Sequence, residues 1–205
     1  HFTGKANLFV WDPPSHGASR PFKLNWSIQQ LAEWLDAILS SEDIGNPVLI
    51  GQSMGGYVSQ AFIKYFPEKT LAFVSIDSAP LGRSHYRPWE LWSLKHTFLL
   101  YLCLPWQLLL WAGSNGCAET AEGKSSMKRM MLAYRKMEYC KLVSHGYKAL
   151  SQEIEKSKTH KLSCPTLLIC GKEDQAGFTA RYNRQWGADE NIPVCWVQGA
   201  GHNAN

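Results

Sequence analysis

Residues 48–60 read VLIGQSMGGYVSQ. A short apolar run leads into a Gly-x-Ser-x-Gly pattern around Ser53, and helix-compatible residues follow directly. This order predicts a strand, a tight turn and a helix, with small residues at Gly51 and Gly55 allowing the turn and Gly56 allowing close packing of the helix. Ser53 is then expected to project from the carboxyl end of its strand, above the N-terminus of the helix.

Short apolar runs predict the strands of a sheet. They cover residues 6–12, 47–50, 71–77 and 165–170, and residues 193–197 form a fifth. Because nearly all their residues are apolar, we expect parallel strands that are buried on both faces. Cys170 and Cys195 fall inside these runs and are expected to behave as small buried hydrophobic residues.

Helical patterns separate most of these strands. Residues 25–39 contain the capping box of Ser27 and Gln30, followed by apolar residues at helical spacing. Residues 55–66 and 178–186 also read as helices. Alternation of strand and helix predicts an α/β fold with a doubly wound, mostly parallel sheet.

The interval from residue 80 to residue 164 interrupts this alternation. It contains no convincing strand and is rich in aromatic, helix-compatible sequence. We therefore expect a core of residues 1–80 and 164–205 with an inserted helical cap at 81–163. Met127, Met130, Met131, Tyr134 and Met137 recur near helical spacing and predict an amphipathic cap helix.

Composition and spacing argue against several classes of protein. The formal net charge is +4 without a basic run interleaved with aromatic residues, so nucleic acid is not an expected partner. The six cysteines lack zinc spacing, which favours reduced thiols, a cytoplasmic location and no metal site. The longest apolar run, residues 98–112, is too short to span a bilayer and contains Pro105, so stable membrane insertion is not expected.

Two polar residues follow the last predicted strands. Asp174 comes just after the strand at 165–170, and His202 comes just after the strand at 193–197. The carboxyl ends of parallel strands meet at one edge of the sheet, where Ser53 is also expected. A serine needs a base to take its proton, so the three side chains form a candidate nucleophilic site. Asp77, at the end of an earlier strand, is an alternative acid.

The chain resembles the α/β-hydrolase family in the order serine, aspartate, histidine. Residues 11–22, WDPPSHGASRPF, resemble the family's D-x-P-G-H-G-x-S loop, with Ser15 where a glycine is usual. The resemblance implies that Ser53 is the nucleophile, His202 the general base and then acid, and Asp174 the group that orients the imidazole. It also implies that the amide of Met54 is one oxyanion donor.

In this family the second oxyanion donor comes from a loop after the third strand, and nothing before Ala6 resembles that loop. We therefore expect the native protein to carry an upstream segment of several tens of residues and a final helix after Asn205.

The expected activity is hydrolysis of an uncharged, hydrophobic carboxylic ester or related acyl compound, without a metal or organic cofactor. The same triad also supports hydrolysis of carbon–carbon bonds, perhydrolysis and acyl transfer. A non-catalytic receptor for small molecules is the alternative from another class.

Overall fold

A parallel sheet forms the centre of the computed structural model, which describes residues 4–158, 161–174 and 176–204. Its strands are β1 (Val48–Gln52), β2 (Ala72–Ile76), β3 (Thr166–Gly171) and β4 (Val194–Val197). They are arranged in the order β1-β2-β3-β4, and every neighbouring pair is parallel. The predicted α/β fold with a parallel sheet is confirmed.

The strand predicted at residues 6–12 is wrong. These residues have no regular secondary structure, and the side chains of Leu8 and Val10 are 63% and 87% exposed. An extended segment becomes a strand only when a neighbour pairs with its backbone, and among the described residues β1 pairs with β2 alone. The apolar composition of this segment was therefore insufficient to predict a strand.

Helices cover one face of the sheet. Helix α1 (Ile28–Ser41) packs on α2 (Met54–Tyr65), and α8 (Thr179–Glu190) packs beside β3 and β4. Leu49, Phe73 and Leu168 are buried beneath them. The capping box of Ser27 and Gln30 is present at the start of α1, as predicted.

The opposite face of the sheet is more open, which corrects the expectation of burial on both faces. The side chains of Val48 and Ile50 are 49% and 53% exposed, whereas Leu49 between them is buried. Cys195 is also exposed, because it alternates onto the open face of β4; Cys170 is buried as expected. Alternation of side chains along a strand explains why neighbouring residues differ so strongly.

Between β2 and β3 the described residues form a short 3-10 helix (Arg83–His85), five α-helices and no strand. The five α-helices are α3 (Pro88–Lys95), α4 (Thr97–Cys103), α5 (Trp106–Cys117), α6 (Ala121–Leu132) and α7 (Lys136–Lys156). Among all the helices described, none is by itself long and apolar enough to cross a membrane; α4 and α5 together meet that requirement but are bent by 119°.

The methionine pattern does not form a single helix. Helix α6 ends at Leu132 and α7 begins at Lys136, so Tyr134 lies between them and Met137 belongs to the second helix. Met131 is fully buried, whereas Met130 and Met137 are 45% and 44% exposed. The chain turns after α6, so periodicity across residues 127–137 predicted a continuous packing face that does not exist.

Candidate active site

Ser53 occupies a strained turn between β1 and α2. Its backbone angles are φ 47° and ψ −115°, and its N–H donates to the carbonyl of Ile76 at 2.9 Å. A non-glycine residue in such a conformation costs on the order of 1–3 kcal/mol and persists only where the surroundings enforce it. The turn holds the Ser53 hydroxyl at the carboxyl edge of the sheet, where the sequence placed it.

Two of the three glycines make this turn possible. A Cβ atom added to Gly51 would lie 2.4 Å from the carbonyl oxygen of Gly55, and one added to Gly56 would lie 2.5 Å from the side chain of Ser78. A Cβ atom added to Gly55 would contact nothing within 4 Å. The structure thus gives steric reasons for Gly51 and Gly56 but none for Gly55.

Ser53, His202 and Asp174 form one chain of hydrogen bonds. His202 Nε2 lies 2.9 Å from Ser53 Oγ, and His202 Nδ1 lies 2.9 Å from Asp174 Oδ2. An ionised carboxylate can only accept, so Nδ1 carries the hydrogen and Nε2 is left to accept the serine proton. Side-chain exposure is 14% for His202 and zero for Asp174. This is the arrangement a serine nucleophile requires.

Asp77 has a different set of partners. Its Oδ1 accepts the N–H of Gly171 at 2.8 Å, and its Oδ2 accepts the N–H of Ala204 at 2.7 Å. Burial raises the pKa of this carboxyl, an effect opposed by those two amides. The structure therefore pairs Asp174 with His202 and uses Asp77 to connect β2 with the end of β3 and with the segment after His202.

A further buried cluster combines Asp77, Cys170 and Asp174, whose potential ligand atoms lie within 4.8 Å of one another. The four carboxylate oxygens each accept a hydrogen bond: those of Asp174 from Ala176 N and from His202, and those of Asp77 as above. Burial raises the pKa of the Cys170 thiol to about 12, so the sulfur stays protonated at neutral pH. These hydrogen bonds explain why the groups are close together.

Gln52 is a residue whose role sequence reasoning missed. Its Nε2 donates to the carbonyl of His202 at 3.1 Å and to Asn203 Oδ1 at 2.6 Å. Gln52 directly precedes Ser53, so a single strand end positions both the nucleophile and the histidine loop. Adjacency to Ser53 was the only signal available, and it did not reveal a partner 150 residues away.

Met54 is the first residue of α2. The first amides of a helix have no acceptor within it and carry the positive end of the helix dipole. The backbone N–H of Met54 therefore follows the nucleophile directly and belongs to a region suited to a developing negative charge.

A cavity of about 180 Å³ contains Ser53 and His202 in its wall. Its other lining residues are mainly aromatic or apolar, and they include Tyr57, Tyr86, Trp89, Leu94, Tyr147, Leu150, Phe178 and Tyr182. Burial raises the pKa of the Tyr57 and Tyr86 phenols, which stay neutral at physiological pH. The one carboxylate of α3 in this wall, Glu90, is paired with Arg181.

A larger cleft of about 540 Å³ lies elsewhere, between the loop at residues 15–24 and the region of Tyr134 to Leu142. Neither Ser53 nor His202 lines it. The larger cleft is therefore not assigned as the candidate site. The smaller cavity is assigned instead, because Ser53 and His202 lie in its wall.

The model of the alpha/beta hydrolase family matches residues 2–205. The chain belongs to this family. No curated protein gives a significant match.

Solved structures with a similar fold include esterases. A thermophilic esterase has a TM-score of 0.69 at 23% identity, and an esterase from Thermogutta terrifontis, with malate bound, has a TM-score of 0.69 at 18% identity; each comparison covers 93% of this chain and 71% of the other. An esterase from Exiguobacterium antarcticum has a TM-score of 0.64 at 16% identity, covering 94% and 73%. At these identities the likeness supports the hydrolase fold alone.

Proposed function

We propose that this alpha/beta hydrolase is a serine hydrolase that cleaves uncharged, hydrophobic carboxylic esters through an acyl-enzyme. The observation that carries the proposal is the hydrogen-bond chain from Ser53 through His202 to Asp174, with both links at 2.9 Å, opening into an aromatic cavity.

In the first half-reaction, Ser53 Oγ attacks the ester carbonyl carbon while His202 Nε2 takes the hydroxyl proton. The tetrahedral intermediate carries its negative charge on the former carbonyl oxygen, which the Met54 amide stabilises. Asp174 accepts from the other imidazole nitrogen and stabilises the imidazolium. When the carbon–oxygen bond breaks, His202 returns the proton to the departing alcohol, and the acyl group remains on Ser53.

In the second half-reaction, water replaces the alcohol. His202 removes a proton from water as the oxygen attacks the acyl carbon, and the proton then passes to Ser53 Oγ as the acid is released. In every step, Nε2 of His202 takes up or gives back the proton, while Nδ1 keeps its hydrogen bond to Asp174. No redox partner or organic cofactor enters this sequence.

The wall of the cavity favours a small, uncharged substrate. Neutral phenols and apolar side chains would leave a charged substrate without a counter-ion. The two carboxylates of the wall already have partners: Glu90 pairs with Arg181, and Asp77 accepts two backbone amides. A volume of about 180 Å³ is below the range of about 300–1000 Å³ typical of sites for drug-sized ligands. Short or compact acyl groups are therefore expected to react fastest.

A fluorophosphonate probe tests the proposal on the full-length protein, because it reacts covalently with an activated serine. Labelling should be lost in Ser53→Ala and in His202→Ala. Ser93→Ala is the matched control, since Ser93 also lines the cavity but has no part in the hydrogen-bond chain, and its labelling should persist. If the folded protein takes no label, a non-catalytic binding protein is favoured.

An ester panel of graded acyl length, tested beside a diketone, separates ester hydrolysis from cleavage of carbon–carbon bonds.

A further inference from the structure

We propose that helices α4 and α5, together with the basic helix α6, form a surface that adsorbs to membranes containing anionic lipid. The adsorbing surface is defined by exposed apolar side chains on α4 and α5 and by exposed cations on α6; its members are Leu99, Leu100, Leu108, Trp111, Lys128 and Arg129. None of these residues lines the cavity that contains Ser53.

The apolar part of the surface is unusually exposed. The exposed fraction of the residue is 65% for Leu99, 60% for Leu100 and 64% for Trp111. Neither α4 nor α5 contains a charged residue. Single exposed apolar residues are common, but several large ones on two consecutive uncharged helices indicate an interaction site.

This exposure is not a consequence of poor packing. Leu109 and Leu110 of α5 are buried with Met131 of α6, and Phe98 and Tyr101 of α4 pack against the same cluster. Both helices therefore have an inner side that packs against this cluster, partly buried in α4 and fully buried at Leu109 and Leu110 in α5.

The outer side of α5 carries Leu108 and Trp111, three residues apart and so on neighbouring turns of one helix face. An amphipathic helix in the plane of a membrane presents this kind of apolar face to the acyl chains. The bend of 119° between α4 and α5 prevents a single straight span but permits both helices to lie along a membrane surface.

Positive charge is concentrated in the same part of the chain. Residues 95–141 contain seven lysines and arginines against three glutamates, a formal balance of +4. One of the seven, Lys95, pairs with Glu155 of α7. The other residues carry fourteen charges of each sign. Helix α6 packs directly on α5, and its Lys128 and Arg129 are exposed and form no salt bridge with the described residues.

The positive charge favours anionic lipid, rather than a second copy of the chain, as the partner of the adsorbing surface. Association of two copies through α4 and α5 would bring two segments of +4 together, and like charges in contact are unfavourable. An anionic lipid headgroup layer instead attracts each basic residue near its surface, while the apolar face contacts the acyl region.

Vesicle co-sedimentation tests the proposal with the full-length protein and two kinds of vesicle, phosphatidylcholine alone and an equimolar mixture with phosphatidylglycerol. Binding should be stronger to the anionic vesicles and should fall as salt is raised. Leu100→Ser/Trp111→Ser should weaken binding to both kinds by about tenfold or more. Lys128→Gln/Arg129→Gln should weaken binding to anionic vesicles by about fivefold for each cation removed.

Matched controls come from outside the adsorbing surface. Leu71→Ser changes an apolar residue that is 63% exposed, and Lys5→Gln/Lys23→Gln removes two exposed cations outside the surface; both should bind vesicles as the parent does. Ser53→Ala should also bind as the parent does, which separates this proposal from the chemistry proposed for Ser53. Equal binding of the parent and both surface variants would overturn the proposal. So would concentration-dependent dimerisation that requires Trp111 in a protein without affinity for vesicles.

Discussion

At the scale of single residues, two buried aspartates near His202 have different partners. Asp174 accepts from the imidazole, whereas Asp77 accepts from the backbone amides of Gly171 and Ala204. The sequence placed both at the carboxyl ends of strands, favoured Asp174 as the acid and kept Asp77 as the alternative. The difference arises from which nitrogen each carboxylate faces, and that depends on loops whose conformation a sequence pattern does not specify.

Replacing Asp174 by asparagine should reduce kcat by about 10³- to 10⁴-fold, because an amide at this position no longer favours the tautomer that leaves Nε2 free to accept. The melting temperature and KM should change much less. Steady-state kinetics on the preferred ester and a thermal unfolding curve provide the measurement.

Asp77→Asn is the matched variant. It should reduce kcat far less than Asp174→Asn, and it should lower stability by about 1–3 kcal/mol because one amide loses its acceptor. Since the pKa of Asp77 is raised in the folded state, its charge opposes folding increasingly as the pH rises above the ordinary carboxyl value of about 4. The loss of stability caused by Asp77→Asn, relative to the parent protein, should therefore be largest in acid and smaller at neutral pH. If Asp77→Asn has the greater effect on kcat, Asp77 is the acid.

Ser15 and Gln52 illustrate the limit of local patterns. Ser15 departs from the glycine usual in the family's loop, yet it adopts φ 72°, the left-handed conformation that a glycine takes without strain. Its hydroxyl donates to the carbonyl of Phe22 and accepts from the indole N–H of Trp26 at 3.4 Å, contacts that help to hold this conformation. The partners of Ser15 lie seven and eleven residues along the chain and those of Gln52 about 150, so neither set can be read from the motif around the residue.

At the scale of elements, apolar runs predicted strands correctly where the run pairs with a neighbouring strand beneath a helix. β1 and β2 are examples, since α2 contacts both. The run at residues 6–12 has a similar composition but no paired neighbour, and it is irregular and exposed. Composition reports the tendency of a segment to be extended, whereas the hydrogen-bonded partner that makes it a strand lies outside that segment.

The turn between β1 and α2 gives a paired prediction. Gly51→Ala should abolish labelling of Ser53 and strongly destabilise the protein, because the new methyl group would collide with backbone atoms of Gly55 that cannot move away. Gly55→Ala should retain the fold and gain up to about 1 kcal/mol of stability, since its site is open and alanine favours a helix. Urea unfolding and probe labelling of both variants measure the contrast; equal tolerance of the two changes would contradict it.

At the scale of the whole molecule, an ion pair connects the nucleophile helix α2 with the long helix α7. Lys64 Nζ lies 2.7 Å from Glu153 Oε1, which also accepts from Tyr65 Oη at 2.7 Å. The Glu153 side chain is 1% exposed and that of Lys64 is 24% exposed. A carboxylate this deeply buried depends on its partners for its charge to be tolerated.

Lys64→Met keeps an apolar stem but leaves the Glu153 charge without its cation, so it should destabilise the protein by about 3–5 kcal/mol. Lys64→Met/Glu153→Gln removes both charges and should recover a large part of that loss. The control is Lys69→Met, which breaks the pair with Asp36 at the surface, where side-chain exposure is 49% and 20%, and should cost no more than about 1 kcal/mol. The free energy of urea unfolding of the parent and of each variant, determined at neutral pH, measures these differences. Equal losses in Lys64→Met and Lys69→Met, or no recovery in the double variant, would show that burial of Glu153 does not couple these two helices.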